Sequence, residues 1–258
     1  MISSTDNAQV KHLIQLNKKS KVRRETGTYI IEGIRMFREV PPELLVNTYV
    51  SESFEHDNLE TLSGISYEVL SDKVFAHVSD TVTPQGIMSI VRRREYSLEN
   101  LISADDRALL ILLDGLQDPG NLGTIMRTGE GAGITGIIMS KDTVDMYNPK
   151  TIRSTMGSLY RVPHIVVDDI AQTARELSGR GIQVVATELG ASKYYDEMDY
   201  SRPTAIFVGN EGNGLSREIS DLADQKIRIP MEGKVESLNA AIAASLCMYE
   251  AKRQRKNH

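Results

Sequence analysis

Residue types that could carry chemistry concentrate in three short stretches of this chain. In DGLQDPGNLGTIMRTGEGAG (114–133), Asn121 and Arg127 stand six residues apart across the start of an expected helix. In IFVGNEGNGLS (206–216), three glycines and two asparagines surround the Glu211 carboxylate directly after an apolar run. In IRIPMEGKVESLNAAIAASL (227–246), a strand expected to end at Pro230 gives way to a flexible loop, and Ser237 is placed to cap the last helix. Each has a plain explanation when taken singly. Asn121 suits an N-cap, Arg127 a solvated helix face, and Glu211 the N-terminus of a helix starting near Leu215. Gly120, Gly123, Gly209, Gly212 and Gly214 suit turns. Three such clusters at three expected strand exits point to one site.

Other chemistries find no pattern here. GxGxxG occurs as Gly131, Gly133 and Gly136, but it follows a helix and enters a strand, the reverse of the order in which its amides would cradle a pyrophosphate. GxxxxGK[ST], HExxH, CxxC and GxSxG are absent, and His12, His56, His77, His164 and His258 lack ligand spacing, so no metal is expected. Cys247, inside an apolar helix, reads as a small core residue.

The elements that must position the clusters repeat regularly. Strand-sized apolar runs recur at 108–114, 134–140, 164–168, 182–187, 204–209 and 226–230, bounded by Gly, Asp, Pro or Asn. Helix-capable segments at 121–132, 168–181 and 215–224 lie between most of them. This alternation predicts an α/β fold with a mostly parallel sheet and helices on both faces. Ligands of such sheets bind beyond the carboxyl ends of the strands, where the Glu211 loop falls. A final helix is expected after Ser237, with Leu238, Ala241, Ile242, Ser245 and Met248 near helical spacing. Upstream the pattern is less regular, with TYIIEG (28–33) and TYVSE (48–52) as strand candidates. RRREYSLENLISADDR (92–107) separates the two patterns, giving domains at 1–95 and 108–258 joined by a linker at 96–107.

The chain of 258 residues carries a formal net charge of -5, which argues against a nucleic-acid binder held by bulk charge. The charge is segregated, however. Between Lys11 and Arg38, Lys18, Lys19, Lys21, Arg23, Arg24 and Arg35 form a basic cluster able to track phosphates, and the C-terminal KRQRK run could do the same. One cysteine excludes an intramolecular disulfide, the N-terminus lacks a signal-peptide pattern, and no run reaches membrane-spanning length. These features predict a soluble cytoplasmic protein with no membrane association.

NLGTIMRT, IFVGNEGNGLS and IRIPMEGKVESLNAAIAASL resemble, in order and spacing, the three motifs of the SpoU branch of the SPOUT RNA methyltransferases. The resemblance runs from about residue 108 to 252. It implies S-adenosylmethionine as cofactor, a ribose 2′-hydroxyl in RNA as acceptor, a deep trefoil knot near the C-terminus, and a homodimer. Residues 1–95, with YIIEG at 29–33, resemble more loosely the family's substrate-binding domain, of ribosomal-protein-like α/β fold.

Carried over by position, the resemblance implies cofactor contacts at Gly209, Ile229 and Leu238, with Thr187, Glu188, Asn210 and Met231 nearby. Glu211 would order the loops. Asn121 would position the ribose or Arg127, and Ser237 and Asn239 would orient substrate or cofactor. Arg127, described for the family as a general base, fits better as a cation that binds a phosphate and steadies the forming oxyanion, because a guanidinium stays protonated at neutral pH. No metal is required, since the sulfonium already activates the methyl group. Folded RNA is the expected substrate, rRNA ahead of tRNA. A non-catalytic RNA-binding ribosome assembly factor is the competing reading, against which stands the complete set Asn121, Arg127, Glu211, Ser237 and Asn239.

Overall fold

The computed structural model describes residues 1–102 and 107–256. Ser103, Ala104, Asp105 and Asp106 of the expected linker, and His258, lie outside the described residues. The chain forms two compact units. The first comprises Met1–Arg94 together with Asp145–Tyr160, and the second comprises Glu95–Val144 with the chain from Arg161 onward.

In chain order the first stretch runs α1 (Ala8–Lys18), α2 (Ser20–Thr26), β1 (Thr28–Glu32), α3 (Ile34–Glu39), β2 (Leu45–Ser51), α4 (Glu52–Asp57), β3 (Tyr67–Leu70), α5 (Asp72–Val78) and β4 (Ile87–Arg92). The remainder runs α6 (Leu98–Leu101), β5 (Leu109–Leu113), α7 (Pro119–Ala132), β6 (Gly136–Ser140), α8 (Pro149–Thr155), β7 (His164–Val167), α9 (Ile170–Gly179), β8 (Gln183–Thr187), β9 (Lys193–Tyr194), β10 (Thr204–Val208), α10 (Arg217–Leu222), β11 (Gln225–Arg228) and α11 (Ala240–Arg255).

The first unit is a four-stranded sheet of order β1-β4-β2-β3, antiparallel except for the β2–β3 pair. α1 begins at Asn7, whose side chain accepts from the Gln9 amide, and buries Val10, Leu13 and Leu16, three residues apart on one face. That face joins Val74, Phe75 and Val78 of α5 over Tyr49, Met88 and Ile90 of the sheet. Val50 and Ile87, turned to the opposite face by the strand period of two, pack with Phe54 and Leu62.

Segment 145–160, which no sequence pattern assigns to this unit, is held in it by an ion pair. The Arg23 Nε and Nη2 donate to Asp145 Oδ2 at 2.9 and 2.7 Å, and Nη1 donates to the Leu16 and Asn17 carbonyls. Tyr147 packs against Tyr29 in a tilted pair with ring centroids 4.7 Å apart, and the Arg93 guanidinium lies 4.4 Å from the Tyr147 centroid. Arg23 is only 3% exposed, so its place in the expected phosphate-tracking cluster is corrected. All its donors but one are spent inside the protein. Lys18, Lys19, Lys21, Arg24 and Arg35 remain exposed.

The second unit is a seven-stranded sheet of order β7-β6-β5-β10-β8-β11-β9, and every pair in it is parallel. Leu110 and Leu112 of β5 pack with Ile170, Ala174 and Leu177 of α9 and Ile219 of α10. Leu109, Ile111 and Leu113, on the opposite face, are equally buried. On that face α11 lies against β10 and against α7, where a side chain on Gly129 would collide with Ile134 and approach Met248. The GxGxxG glycines are confirmed in a helix-to-strand context. Gly133 ends α7 at φ 84°, and a Cβ on Gly136 would fall 2.3 Å from Leu101 Cγ. Within the expected linker, Leu101 of α6 is fully buried. No helix among the described residues is long and apolar enough to cross a membrane.

Arg23→Ala leaves the Asp145 carboxylate without its cation and is expected to cost about 3 kcal/mol, read as a lowered urea midpoint with unchanged slope. Lys21→Ala, at an exposed position on the same helix, is expected to stay within about 0.5 kcal/mol of wild type.

Candidate functional site

Beyond the carboxyl ends of β8, β10 and β11 lies a cavity of about 670 Å³. Thr187 and Glu188 at the end of β8, Gly209 and Asn210 after β10, and Ile229, Met231 and Leu238 after β11 all line it. Glu211, Ser237 and Asn239 line it as well. Its apolar surface comes from Val208, Leu215, Ile227 and Ala243 together with Ile229 and Leu238. Asn121 and Arg127 are not part of the lining.

Asn121 reaches the site through hydrogen bonds. Its Nδ2 donates to Glu211 Oε1 at 2.9 Å, while Asn239 Nδ2 donates to Asn121 Oδ1 at 2.9 Å. Glu211 also accepts from the amides of Asp118 and Gln117, each at 3.2 Å. The three motifs therefore meet in one polar chain. Burial pushes the Glu211 carboxyl up, but donation from Asn121 and from the amides of Glu211 itself, Gln117 and Asp118 outweighs burial and holds it below the usual carboxylate range. Every group facing it is a donor, so the ionised form is the one this loop is built around.

Two capping expectations are corrected. Asn239 caps α11, its Oδ1 accepting from Ala241 and Ile242, so Ser237 does not. Ser237 lies two residues ahead, exposed in the loop. Asp118 caps α7 through the Asn121 amide, which leaves the Asn121 side chain free for Glu211 and Asn239. β11 ends at Arg228, two residues before the expected Pro230.

Several lining side chains are occupied by the protein itself. Asn210 accepts from the Gly212 and Asn213 amides and donates to the Gly115 carbonyl at 2.7 Å, closing its own loop and tying it to the β5–α7 turn. Thr187 Oγ1 donates to the Phe207 carbonyl. Glu188 accepts from the Ser220 hydroxyl at 2.6 Å and lies 3.6 Å from Lys226 Nζ. A Cβ on Gly209 would sit 2.3 Å from the Gly214 carbonyl carbon and 2.5 Å from Leu215 N. The bare backbone at Gly209 is thus required by the loop folding back on itself.

Arg127 projects from α7, exposed and without a hydrogen bond or ion pair among the described residues. Cys247 lies at the cavity wall, and burial pushes its thiol up to about 12, which leaves no thiolate at neutral pH. The C-terminal basic run is largely engaged. Arg255 donates to the carbonyls of Tyr200, Arg107, Ala108 and Arg202, Lys252 donates to that of Gly131, and Arg253 pairs with Glu250. Arg253 and Lys256 remain exposed within that run. Among the described residues no three His, Cys, Asp or Glu side chains converge as a metal site. Arg228, a lining residue that sequence reasoning missed, stacks on Tyr194; no local pattern links positions 34 residues apart.

Gly209→Ala is expected to lower stability by about 1–3 kcal/mol and to displace the 209–214 loop, measurable by urea unfolding and by hydrogen exchange at Gly214. Glu211→Gln is expected to destabilise at neutral pH, since an amide NH₂ would face donors. The wild-type advantage should be complete above about pH 4.3 and vanish as the pH falls through the depressed folded-state value. Paired thermal melts of the two proteins from pH 7 to 3 check the sign.

Comparison with known proteins places this geometry. Residues 108–249 match the SpoU rRNA Methylase family, and residues 7–89 match an MRM3-like substrate binding domain. The Bacillus subtilis 23S rRNA (guanosine(2553)-2′-O)-methyltransferase RlmP is 35% identical over 96% of this chain and 97% of its own length. Among solved structures, the SpoU methyltransferase AviRb from Streptomyces viridochromogenes in complex with AdoMet superposes with a TM-score of 0.86 at 26% identity, covering 97% of this chain and 98% of AviRb. An AdoMet-bound rRNA methyltransferase from Sinorhizobium meliloti gives 0.84 at 32% identity, covering 98% and 97% of the two chains. With the motif order, the parallel sheet and the three-loop cavity in agreement, the chain belongs to the SpoU rRNA methylase family.

Proposed function

We propose that the protein methylates a ribose 2′-hydroxyl of ribosomal RNA using S-adenosylmethionine. The observation that carries this reading is the convergence of three sequence-distant motifs on one cavity through Glu211, Asn121 and Asn239. The cavity fits the cofactor. Its volume of about 670 Å³ falls in the usual small-molecule range, its apolar walls suit a nucleoside base, and exposed Gly190, Gly212 and Gly214 present main chain in its lining. When bound, the cofactor supplies a methyl group activated by its sulfonium.

The chain's own residues then have a positioning task. Val208, Leu215, Ile229 and Leu238 exclude water from the site, and Glu211 holds the β5–α7 turn and the last helix in register through Asn121 and Asn239. Arg127 binds an RNA phosphate and stabilises negative charge developing on the ribose oxygen, as a permanent cation rather than a base. It stands outside the lining of its own cavity, which supports a homodimer in which each copy supplies Arg127 to the other. Ile242 and Tyr249, 49% and 50% exposed on α11, offer apolar surface for that contact. Exposed Lys18, Lys19, Lys21, Arg24 and Arg35 in the first unit would engage RNA phosphates, in keeping with the substrate-binding-domain match. A trefoil knot and a cytoplasmic location belong to the same reading, supported by the family match and by rRNA-modifying relatives.

Incubation with methyl-labelled cofactor, unmodified rRNA, ribosomal precursor particles and tRNA tests it. Label is expected in a 2′-O-methyl nucleoside of rRNA. Arg127→Ala should lower kcat by about 10²–10³-fold with little change in cofactor affinity, and Arg127→Lys should lose most of the activity because it lacks the planar fork. Label on a base, label confined to tRNA, or full activity of Arg127→Lys would each contradict part of the proposal. Light scattering that finds a monomer would contradict the shared site.

A further inference from the structure

Three charged side chains line the cavity, and their partners differ. Glu211 is saturated by Asn121 and two amides, and Glu188 is engaged by Ser220 and Lys226. Among the described residues, Arg228 is the one cation in the lining. It is the last residue of β11 and pairs in parallel register with Tyr194 of β9. Its guanidinium carbon lies 4.9 Å from the Tyr194 ring centroid, and Nη2 donates to the Tyr194 hydroxyl at 3.3 Å. Its Nε is buried with no hydrogen-bond partner, and among the described residues it forms no ion pair. Tyr194 is itself fixed, its amide donating to Glu197 at 2.8 Å.

We propose that Arg228, braced by Tyr194, binds the carboxylate at the amino-acid end of S-adenosylmethionine and thereby sets the protein's preference for the complete cofactor. The inference rests on reading the cavity as the cofactor site. A buried donor without an acceptor is costly, and a carboxylate offers the planar guanidinium two parallel hydrogen bonds. Charge restricts the choice further. The cofactor carries two positive groups, the sulfonium and the ammonium, and a single negative one. A wall cation is favourable only where it meets the negative group, which is the carboxylate. Stacking on Tyr194 keeps the guanidinium plane oriented, so less freedom is lost on binding. An RNA phosphate is the less fitting anion, because Arg228 lies in the cavity wall with its Nε shielded from solvent.

Calorimetric titration of wild type, Arg228→Gln and Tyr194→Leu with three probes tests this. The probes are S-adenosylmethionine, its decarboxylated analogue, and 5′-methylthioadenosine, which lacks the whole amino-acid end. Wild type is expected to bind the complete cofactor at least about tenfold more tightly than the decarboxylated analogue, the size of one charge-assisted hydrogen bond. Arg228→Gln should lose that tenfold and bind the two alike, Tyr194→Leu should lose part of it, and all three proteins should bind 5′-methylthioadenosine equally, which shows that the cavity is intact. Equal binding of the two cofactors by wild type, or discrimination retained in Arg228→Gln, overturns the assignment. So does a variant that keeps its cofactor preference but loses affinity for rRNA, which would assign Arg228 to a phosphate. Wild type that binds none of the three probes overturns the cofactor reading of the cavity, and this assignment with it.

Discussion

The site depends on one ionised carboxylate. Glu211 accepts from the side chain of Asn121 and the amides of Gln117 and Asp118, and Asn121 in turn accepts from Asn239, the cap of the last helix. Three loops, each leaving a different part of the chain, are joined by hydrogen bonds centred on that carboxylate, and the ones it accepts directly are strongest while it is charged. Unsatisfied donors at the α7 N-terminus and in the turn before it would otherwise face one another, a costly arrangement. The same carboxylate explains the glycines. To bring Glu211 over the turn, the loop must reverse within a few residues, and Gly209 then lies against the main chain of Gly214 and Leu215 with no room for a side chain.

A second constraint acts in the first unit. The chain leaves the seven-stranded unit after Val144, becomes part of the first unit over 145–160, and returns at Arg161. Asp145 meets the buried Arg23, and Tyr147 is held between Tyr29 and Arg93. Burying an arginine is tolerable only because its donors find a carboxylate and two main-chain carbonyls. The loop between β6 and β7 is thereby fixed by chemistry belonging to the other unit, and the two units are joined by the chain more than once.

Charge also sorts the cavity from its surroundings. Along the wall, the acidic groups are satisfied internally, while the guanidinium of Arg228 retains an unpaired donor. Arg127, by contrast, stands on the exposed surface of α7 with no partner among the described residues. The two arginines thus differ in what they can meet. One lies in the lining of the cavity, and the other lies on the outer surface of α7.

Local features of the sequence carried the fold class and most elements. Apolar runs of strand length separated by helical spacing determined the parallel α/β sheet, because both periodicities are properties of adjacent residues, and the three motifs marked the cavity, two by lining it and one by reaching it through Asn121. Tertiary structure decided the rest. Ser237 and Asn239 are both good caps, and only the packing of α11, which begins at Ala240, selected Asn239. Arg23 is indistinguishable from its neighbours Lys21 and Arg24 in sequence, yet it lies beneath the surface because Asp145, far along the chain, arrives beside it. β9 is two residues long, too short to show a period, and so the pairing of Tyr194 with Arg228 was invisible. Composition and spacing record what a residue does with its immediate neighbours; which donor meets which acceptor across the chain is settled only when folding removes both from water.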